Sequence, residues 1–344
     1  MDIVTHGLGS LAVARGFFPR AGKAALASAV LVGCAADLDW FSQYWGPSSF
    51  LAWHGTYTHS ILAIFFFLTL IPSFPVVRHY LRSGSEIVGT PLPAGTLWAG
   101  TFGASLCTGL LHIAMDACQS DGVALFWPLS SRRFAADWLP PIDPWILTIL
   151  IACIALPELL HLVSSEIGAK SKKPRGQAGA LIGLALVLVY VGARAALHSN
   201  ALATMESRTF HGETPRRVSA FPESLSILTW RGLVETESAL DEIEVSTSSS
   251  DTFDADSSVR QFKPDPSPAL DAARNTVVAR RFLAIAQVPK ASLEKTERGY
   301  VAILRDLRYA AAGDTQHEIA AVIELDSNNM VTSEELVWAR DLRH

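Results

Sequence analysis

Four apolar runs, at about residues 59–77, 94–118, 145–163 and 178–197, are each long enough to cross a bilayer core of roughly 30 Å as a helix rising about 1.5 Å per residue. Nothing else in the chain narrows the fold as far, because hydrocarbon leaves a spanning segment only the helix or the closed barrel. Two shorter runs, 3–18 and 24–39, flank Arg15, Pro19, Arg20 and Lys23 like the arms of a helical hairpin, which brings His6 level with Asp37. Composition agrees: 49% of 344 residues are hydrophobic, 18% are charged and mean hydropathy is +0.26, which favours a partly membrane-embedded chain. Polarity is uneven, with 12 Lys+Arg against 10 Asp+Glu in residues 1–200 and 16 against 23 in 201–344. The expected architecture is a membrane all-α helical bundle over 1–200, of about five to six segments with a short hairpin first. A soluble α+β domain with a small antiparallel sheet follows over 201–344.

Against this apolar background, ionisable residues are expensive and informative. His112 and Asp116 are four apart within LLHIAMDACQSDGV, and on a helix they share one face. The first 120 residues also hold His6 in MDIVTHG, Asp37 and Asp39 in AADLDW, and His54 and His59 in WHGTYTHS. Imidazoles and carboxylates together suit zinc first, with manganese or iron as alternatives, and seven such groups suffice for two divalent ions.

Topology brings the seven to one side. Loops 15–23, 78–93 and 164–177 carry nine Lys/Arg, whereas 40–58 and 119–144 carry only Arg132 and Arg133. Basic residues concentrate in cytoplasmic loops, so His6, Asp37, Asp39, His54, His59, His112 and Asp116 are all expected on the extracytoplasmic face, together with the C-terminal domain. Glu158 and His161 then fall at the cytoplasmic end as interfacial polar residues, and so does His79. His198 has no evident partner, while His211, His317 and His344 lie in the polar half, where solvated histidine is the default.

Local spacing refines the cluster. Asp37 and Asp39 would sit about 200° apart on a helix, so the helix should end near Ala36 and present both from a turn. His54 belongs in a loop, with Thr56 or Thr58 as N-cap and His59 in the first turn of the next helix. Taken singly, His6 reads as an ordinary residue, the Asp pair as a solvated helix end, and His112 with Asp116 as a strut or proton relay. Their convergence favours metal.

These blocks, with HIAMDACQSDGVALFWPLS and the IDP at 142–144, resemble the YdjM-like membrane-bound metal-dependent hydrolases of bacteria and archaea over roughly residues 1–200. RVSAFPESLSILTWRGLVE and DLRY are similar to the extracytoplasmic tail of longer members. The resemblance implies a multi-pass protein of the inner (cytoplasmic) membrane whose His and Asp blocks bind metal and hydrolyse a substrate. One position departs: the family block usually has a basic residue after its first histidine, and here Gly55 follows His54.

Such a site would act through metal-activated water, with Asp37, Asp39 or Asp116 as general base. No Gly-x-Ser-x-Gly or P-loop pattern is present. The cluster also loosely resembles zinc-dependent phospholipase C and related nucleases. Its place at a membrane surface points to a phosphoester of a lipid or lipid-linked substrate, with membrane lipids as partners. Arg132 and Arg133, next to Phe126, Trp127 and Phe134, could bind phosphate headgroups, although interfacial anchoring is the plainer reading. Neither half is basic enough for nucleic acid.

Three rivals stand beside the enzyme: a scaffold with a structural ion and a partner-binding C-terminal domain, a transporter, and a lipoprotein processed at LVGC before Cys34. The last would discard His6. Cys34, Cys107, Cys118 and Cys153 read as packing residues. In the C-terminal half, SLSILTWRGLVE, YVAILRDLRYA and HEIAAVIELD alternate like strands. A single helix through ALDAARNTVVARRFLAIA is expected after Ser267 and Pro268, and an acidic flexible loop at about 246–258.

Overall fold

A computed structural model describes residues 1–82, 86–87, 90–91, 93–166, 176–248, 254–310 and 318–342. The helices are α1 (Ile3–Phe17), α2 (Gly22–Ala35), α3 (Pro47–Trp53), α4 (Ile61–Ala63), α5 (Ile71–Arg82), α6 (Ala94–Ala117), α7 (Pro144–Glu166), α8 (Gln177–Glu206), α9 (Pro268–Arg274), α10 (Val277–Leu283) and α11 (Leu307–Ala310). A 3₁₀ segment, Ala36–Trp45, prolongs α2, and a π-helical stretch, Ile64–Leu70, joins α4 to α5. The chain divides into two compact units. One comprises Met1–Asp39, His54–Ala196 and Ser224–Ile227, the other Trp40–Trp53, Leu197–Glu223 and Leu228–His344.

Among the described residues, the first unit is helical apart from turns, the two-residue strands β1 (Glu86–Ile87) and β2 (Thr90–Pro91), and the isolated bridges Gln119–Leu139 and Val123–Phe134. Among the described residues, four helices are long and apolar enough to span a membrane: Gly22–Trp45, Ile61–His79, Ala94–Ala117 and Gln177–Glu206. The expectation was five to six segments. The difference lies in α1, whose 15 residues reach only about 22 Å, and in α7, whose apolar part Pro144–Leu159 is shorter than the rest. Large apolar side chains such as Leu188 and Val189 on α8 are exposed, as helices facing hydrocarbon require.

Small residues set the close packing that positions the site. Ser28 and Ser105 hydroxyls meet at 2.7 Å between α2 and α6, and a Cβ on Gly109 would fall 2.5 Å from Ile64. This is membrane packing by backbone approach. The tightest point is in the α1–α2 hairpin, where a Cβ on Gly33 would lie 1.8 Å from Ser10 Oγ. Gly33→Ala should therefore lower stability by about 1–3 kcal/mol, the usual cost of overpacking. A detergent thermal melt checks this, and adding Ser10→Gly should recover most of the loss.

The second unit holds two four-stranded antiparallel meanders where the sequence suggested one small sheet. The first is β3 (Arg217–Pro222), β4 (Thr229–Glu235), β5 (Ala239–Ser246) and β6 (Val259–Phe262), paired in chain order. The second is β7 (Pro289–Thr296), β8 (Gly299–Asp306), β9 (Ile319–Asp326) and β10 (Val331–Trp338), likewise sequential. Strand alternation places Ile319, Ala321, Ile323 and Leu325 in one core with Leu270, Ala273 and Phe282. Phe50 of α3 joins that core, its ring 5.6 Å from Trp338.

Ser267 caps α9 as expected, accepting from Leu270 N. The single helix breaks in two, however, because Thr276 bonds backward to Ala273 O and caps α10 through Ala279 N. Of the acidic stretch 246–258, Ser246 ends β5 and Asp254 caps a 3₁₀ turn at Ala255–Ser257, while 249–253 lie outside the described residues. Residues 167–175 of the basic loop, the His161 side chain, His317 and His344 also lie outside them.

Candidate metal centre

Four helix ends bring the ligands together. Asp2 caps α1, accepting from Val4 and Thr5 amides, and fixes the turn that carries buried His6. α2 ends at Ala35, as the divergence of Asp37 and Asp39 required, and the 3₁₀ turn aims the two carboxylates differently. His112 and Asp116 close the C-terminal end of α6. Ser60, not Thr56 or Thr58, caps α4 through Ala63 N, because the chain stays in turns until Ser60, so His59 stands just before the helix.

Five of the seven candidates form an inner group. His6 Nε2 is 3.1 Å from Asp116 Oδ1 and 4.0 Å from Asp37 Oδ2. His112 Nε2 is 3.0 Å from Asp116 Oδ2 and 3.6 Å from Asp37 Oδ1. Ligand atoms of these four residues all lie within 4.8 Å of one another. His59 Nε2 adds itself at 3.2 Å from Asp116 Oδ2, 3.8 Å from Asp37 Oδ1 and 3.1 Å from His112 Nε2. Asp116 Oδ1 also receives the Met1 amino group at 2.5 Å and Gln119 Nε2 at 3.3 Å.

Asp39 and His54 stand outside this group. Asp39 accepts from His54 Nδ1 (3.0 Å), Gly55 N (2.9 Å), Thr58 Oγ1 (2.9 Å) and His59 Nδ1 (3.0 Å). It ties the 54–59 loop down and orients His59. Gly55 has φ +68°, and a Cβ there would meet Gly122 O at 2.9 Å, so its place in the turn demands glycine. Arg133 brings a cation to this spot: its guanidinium donates to His54 O at 2.6 Å and Thr56 Oγ1 at 3.2 Å. Arg132 instead lies over the Phe134 ring, 5.8 Å from its centroid.

The hydrogen bonds fix the tautomers. Gly33 O can only accept, so His112 Nδ1, 2.8 Å away, carries the hydrogen and leaves Nε2 bare in the neutral ring. His59 Nδ1 lies 3.0 Å from both Asp39 Oδ2 and Thr58 Oγ1, and a hydrogen there leaves Nε2 bare in the neutral ring. With both rings neutral, two bare nitrogens face each other at 3.1 Å beside two carboxylates, an arrangement relieved by a cation between them, a metal ion or a proton on His59. Asp37 Oδ2 and His6 Nδ1 are buried without a hydrogen-bond partner among the described residues. Nitrogen and carboxylate donors backed by carboxylate and carbonyl partners fit a divalent metal ion.

Other charged residues prove structural. Asp143 of the IDP block caps α7 through Trp145 N and Ile146 N and accepts from Tyr190 Oη at 2.9 Å. Arg194, fully buried in α8, donates to Trp138 O, Ser226 O and Ile227 O. An arginine inside the apolar run 178–197 was the sequence signal for this clamp. Glu158 pairs with Arg15 at 3.2 Å. His198 bonds Ala220 O at 3.1 Å and His211 bonds Ser258 Oγ at 3.1 Å, so both have structural partners. All four cysteines are free, and Cys107 is exposed.

The fold and these side chains define a membrane-embedded helical protein with a buried His/Asp centre and a two-sheet C-terminal unit. Residues 1–201 match the family described as YdjM inner membrane protein, and the chain belongs to that family. No curated protein and no solved structure matches the chain.

Proposed function

We propose that the protein is a metal-dependent hydrolase of the inner membrane. The observation that carries this reading is the convergence of His6, Asp37, His112 and Asp116, whose ligand atoms all lie within 4.8 Å of one another, with His59 Nε2 3.1 Å from His112 Nε2. His6, Asp37, His112 and Asp116, with His59 beside them, would hold a divalent ion, zinc first and manganese or iron as alternatives. Bound there, the ion supplies Lewis acidity and activates water near neutral pH. Asp37 is the more open carboxylate, with its side chain 15% exposed, and Oδ2 makes no hydrogen bond among the described residues. With an ion bound, Asp37 would be both a ligand and the group that takes a proton from water. Asp39 keeps His59 and His54 in position.

The substrate proposed is a phosphoester of a lipid or lipid-linked compound on the extracytoplasmic face. The distribution of Lys and Arg among the loops supports that side, and the site's position at span ends supports a substrate drawn from the membrane. Near-complete burial of His6, His59 and His112 favours a second reading, a structural ion in a non-enzymatic scaffold whose C-terminal unit recruits a partner.

Purified full-length protein should contain stoichiometric zinc, manganese or iron by elemental mass spectrometry, and should release phosphate or headgroup from membrane phospholipids. Metal without turnover on any lipid phosphoester supports the scaffold. Absence of metal from well-folded protein overturns both.

A further inference from the structure

The C-terminal unit contains a cleft of about 430 Å³ in which cations outnumber anions four to one: Arg217, Lys263, Arg274 and Lys290 line it, with Glu235 opposing. Glu235 pairs with Lys263 at 2.7 Å and stands opposite Arg217 in the β3–β4 register, so one carboxylate serves both. Among the described residues, neither Arg217 nor Arg274 makes an ion pair. Lys290 stands directly opposite Arg305 in the β7–β8 register, a like-charge juxtaposition that disfavours the pairing. Arg305 is taken up by Glu318 at 2.8 and 2.7 Å, while the Lys290 ammonium has only the neutral Gln261 Oε1, at 2.6 Å. Burial and neighbouring Arg305 push the Lys290 ammonium below the usual lysine range. Four cations thus share one carboxylate around one cavity, a net excess of three positive charges.

The floor is apolar, formed by Leu233, Leu240, Val288 and Leu304. Of these, Leu233, Leu240 and Val288 belong to one buried cluster with Phe221 and Leu307, so the floor is part of the domain's core. We propose that this cleft binds a phosphoryl group carried on an apolar chain. A dianionic phosphate monoester answers an excess of three positive charges better than a carboxylate, which would leave two of them unmatched, and two arginines offer the planar fork that phosphate oxygens accept. The apolar floor receives the chain. The cavity is of the size that holds a small ligand. The site is independent of the metal centre and stands whether or not that centre is catalytic.

The test is isothermal titration of the full chain in nanodiscs, in EDTA so that metal-bound phosphate does not contribute. The ligands are hexyl phosphate, inorganic phosphate and hexanol. Saturable one-site binding of hexyl phosphate is expected, with inorganic phosphate at least about tenfold weaker and hexanol unsaturable. Arg217→Gln with Arg274→Gln should weaken hexyl phosphate at least about tenfold, and Arg217→Lys with Arg274→Lys should restore part of it, since the ammonium keeps the charge and loses the planar fork. Both arginines are exposed, so an unchanged thermal melt is expected for each variant. No saturable binding, equal binding by the glutamine variant, or inorganic phosphate as tight as hexyl phosphate would each overturn the proposal.

Discussion

Asp116→Ala is expected to leave a folded chain that no longer retains metal, and His112→Ala to do the same. Asp116 is the hub: its two oxygens lie 3.0 to 3.2 Å from Nε2 of His6, His59 and His112. Removing it leaves three imidazoles with Asp37 as the one carboxylate, which weakens both coordination and charge balance. Affinity should fall by more than about 100-fold, the most that loss of an outer-shell partner produces. His112→Ala removes one donor directly and also leaves Gly33 O without its hydrogen bond, so it should cost about 1–3 kcal/mol of stability besides. Elemental analysis beside a thermal melt separates these effects. Glu158→Gln is the control, because Glu158 pairs with Arg15 and not with the cluster. Metal retained in both alanine variants would sink the centre as drawn.

Hydropathy made the helical membrane unit legible, since a run such as 94–118 leaves few alternatives to a helix, and i,i+4 spacing alone sufficed to put His112 and Asp116 on one face. The hairpin argument also placed His6 near Asp37, now seen at 4.0 Å. What the sequence could not show was the division of labour among the candidates. Asp37 and Asp39 differ only by two positions, yet one faces the imidazoles and the other turns to the 54–59 loop. That outcome depends on the 3₁₀ continuation after Ala35, whose geometry no local propensity announces. Gly33 shows the same limit: its carbonyl fixes the tautomer of His112, but backbone groups carry no signature in a sequence. In the C-terminal unit, strand alternation was readable, but one sheet or two is decided by long-range pairing. Thr276 broke the expected helix through a cap that also suits a helix interior on pattern alone.

Asp39→Asn puts that division of labour to the test. If Asp39 acts by accepting the Nδ1 hydrogen of His59, a neutral amide oxygen in the same place accepts it more weakly and lowers the basicity of Nε2, where the metal belongs. The loop should hold, because that oxygen still accepts from Gly55 N and Thr58 Oγ1, while the NH₂ falls beside His54 Nδ1. Metal affinity, measured by competition with a chromophoric chelator, should then drop about 10- to 100-fold while stoichiometry at saturating metal stays that of the parent. Asp37→Asn, which alters a direct ligand and the proposed base, should depress turnover even at saturating metal. A complete loss of metal from Asp39→Asn at any concentration would instead make Asp39 a direct ligand and move His54, 3.0 Å from it, into the coordination sphere. Unchanged affinity would mean that the imidazole of His59 is not held by Asp39 at all, and the tautomer argument for a cation between His59 and His112 would fall with it.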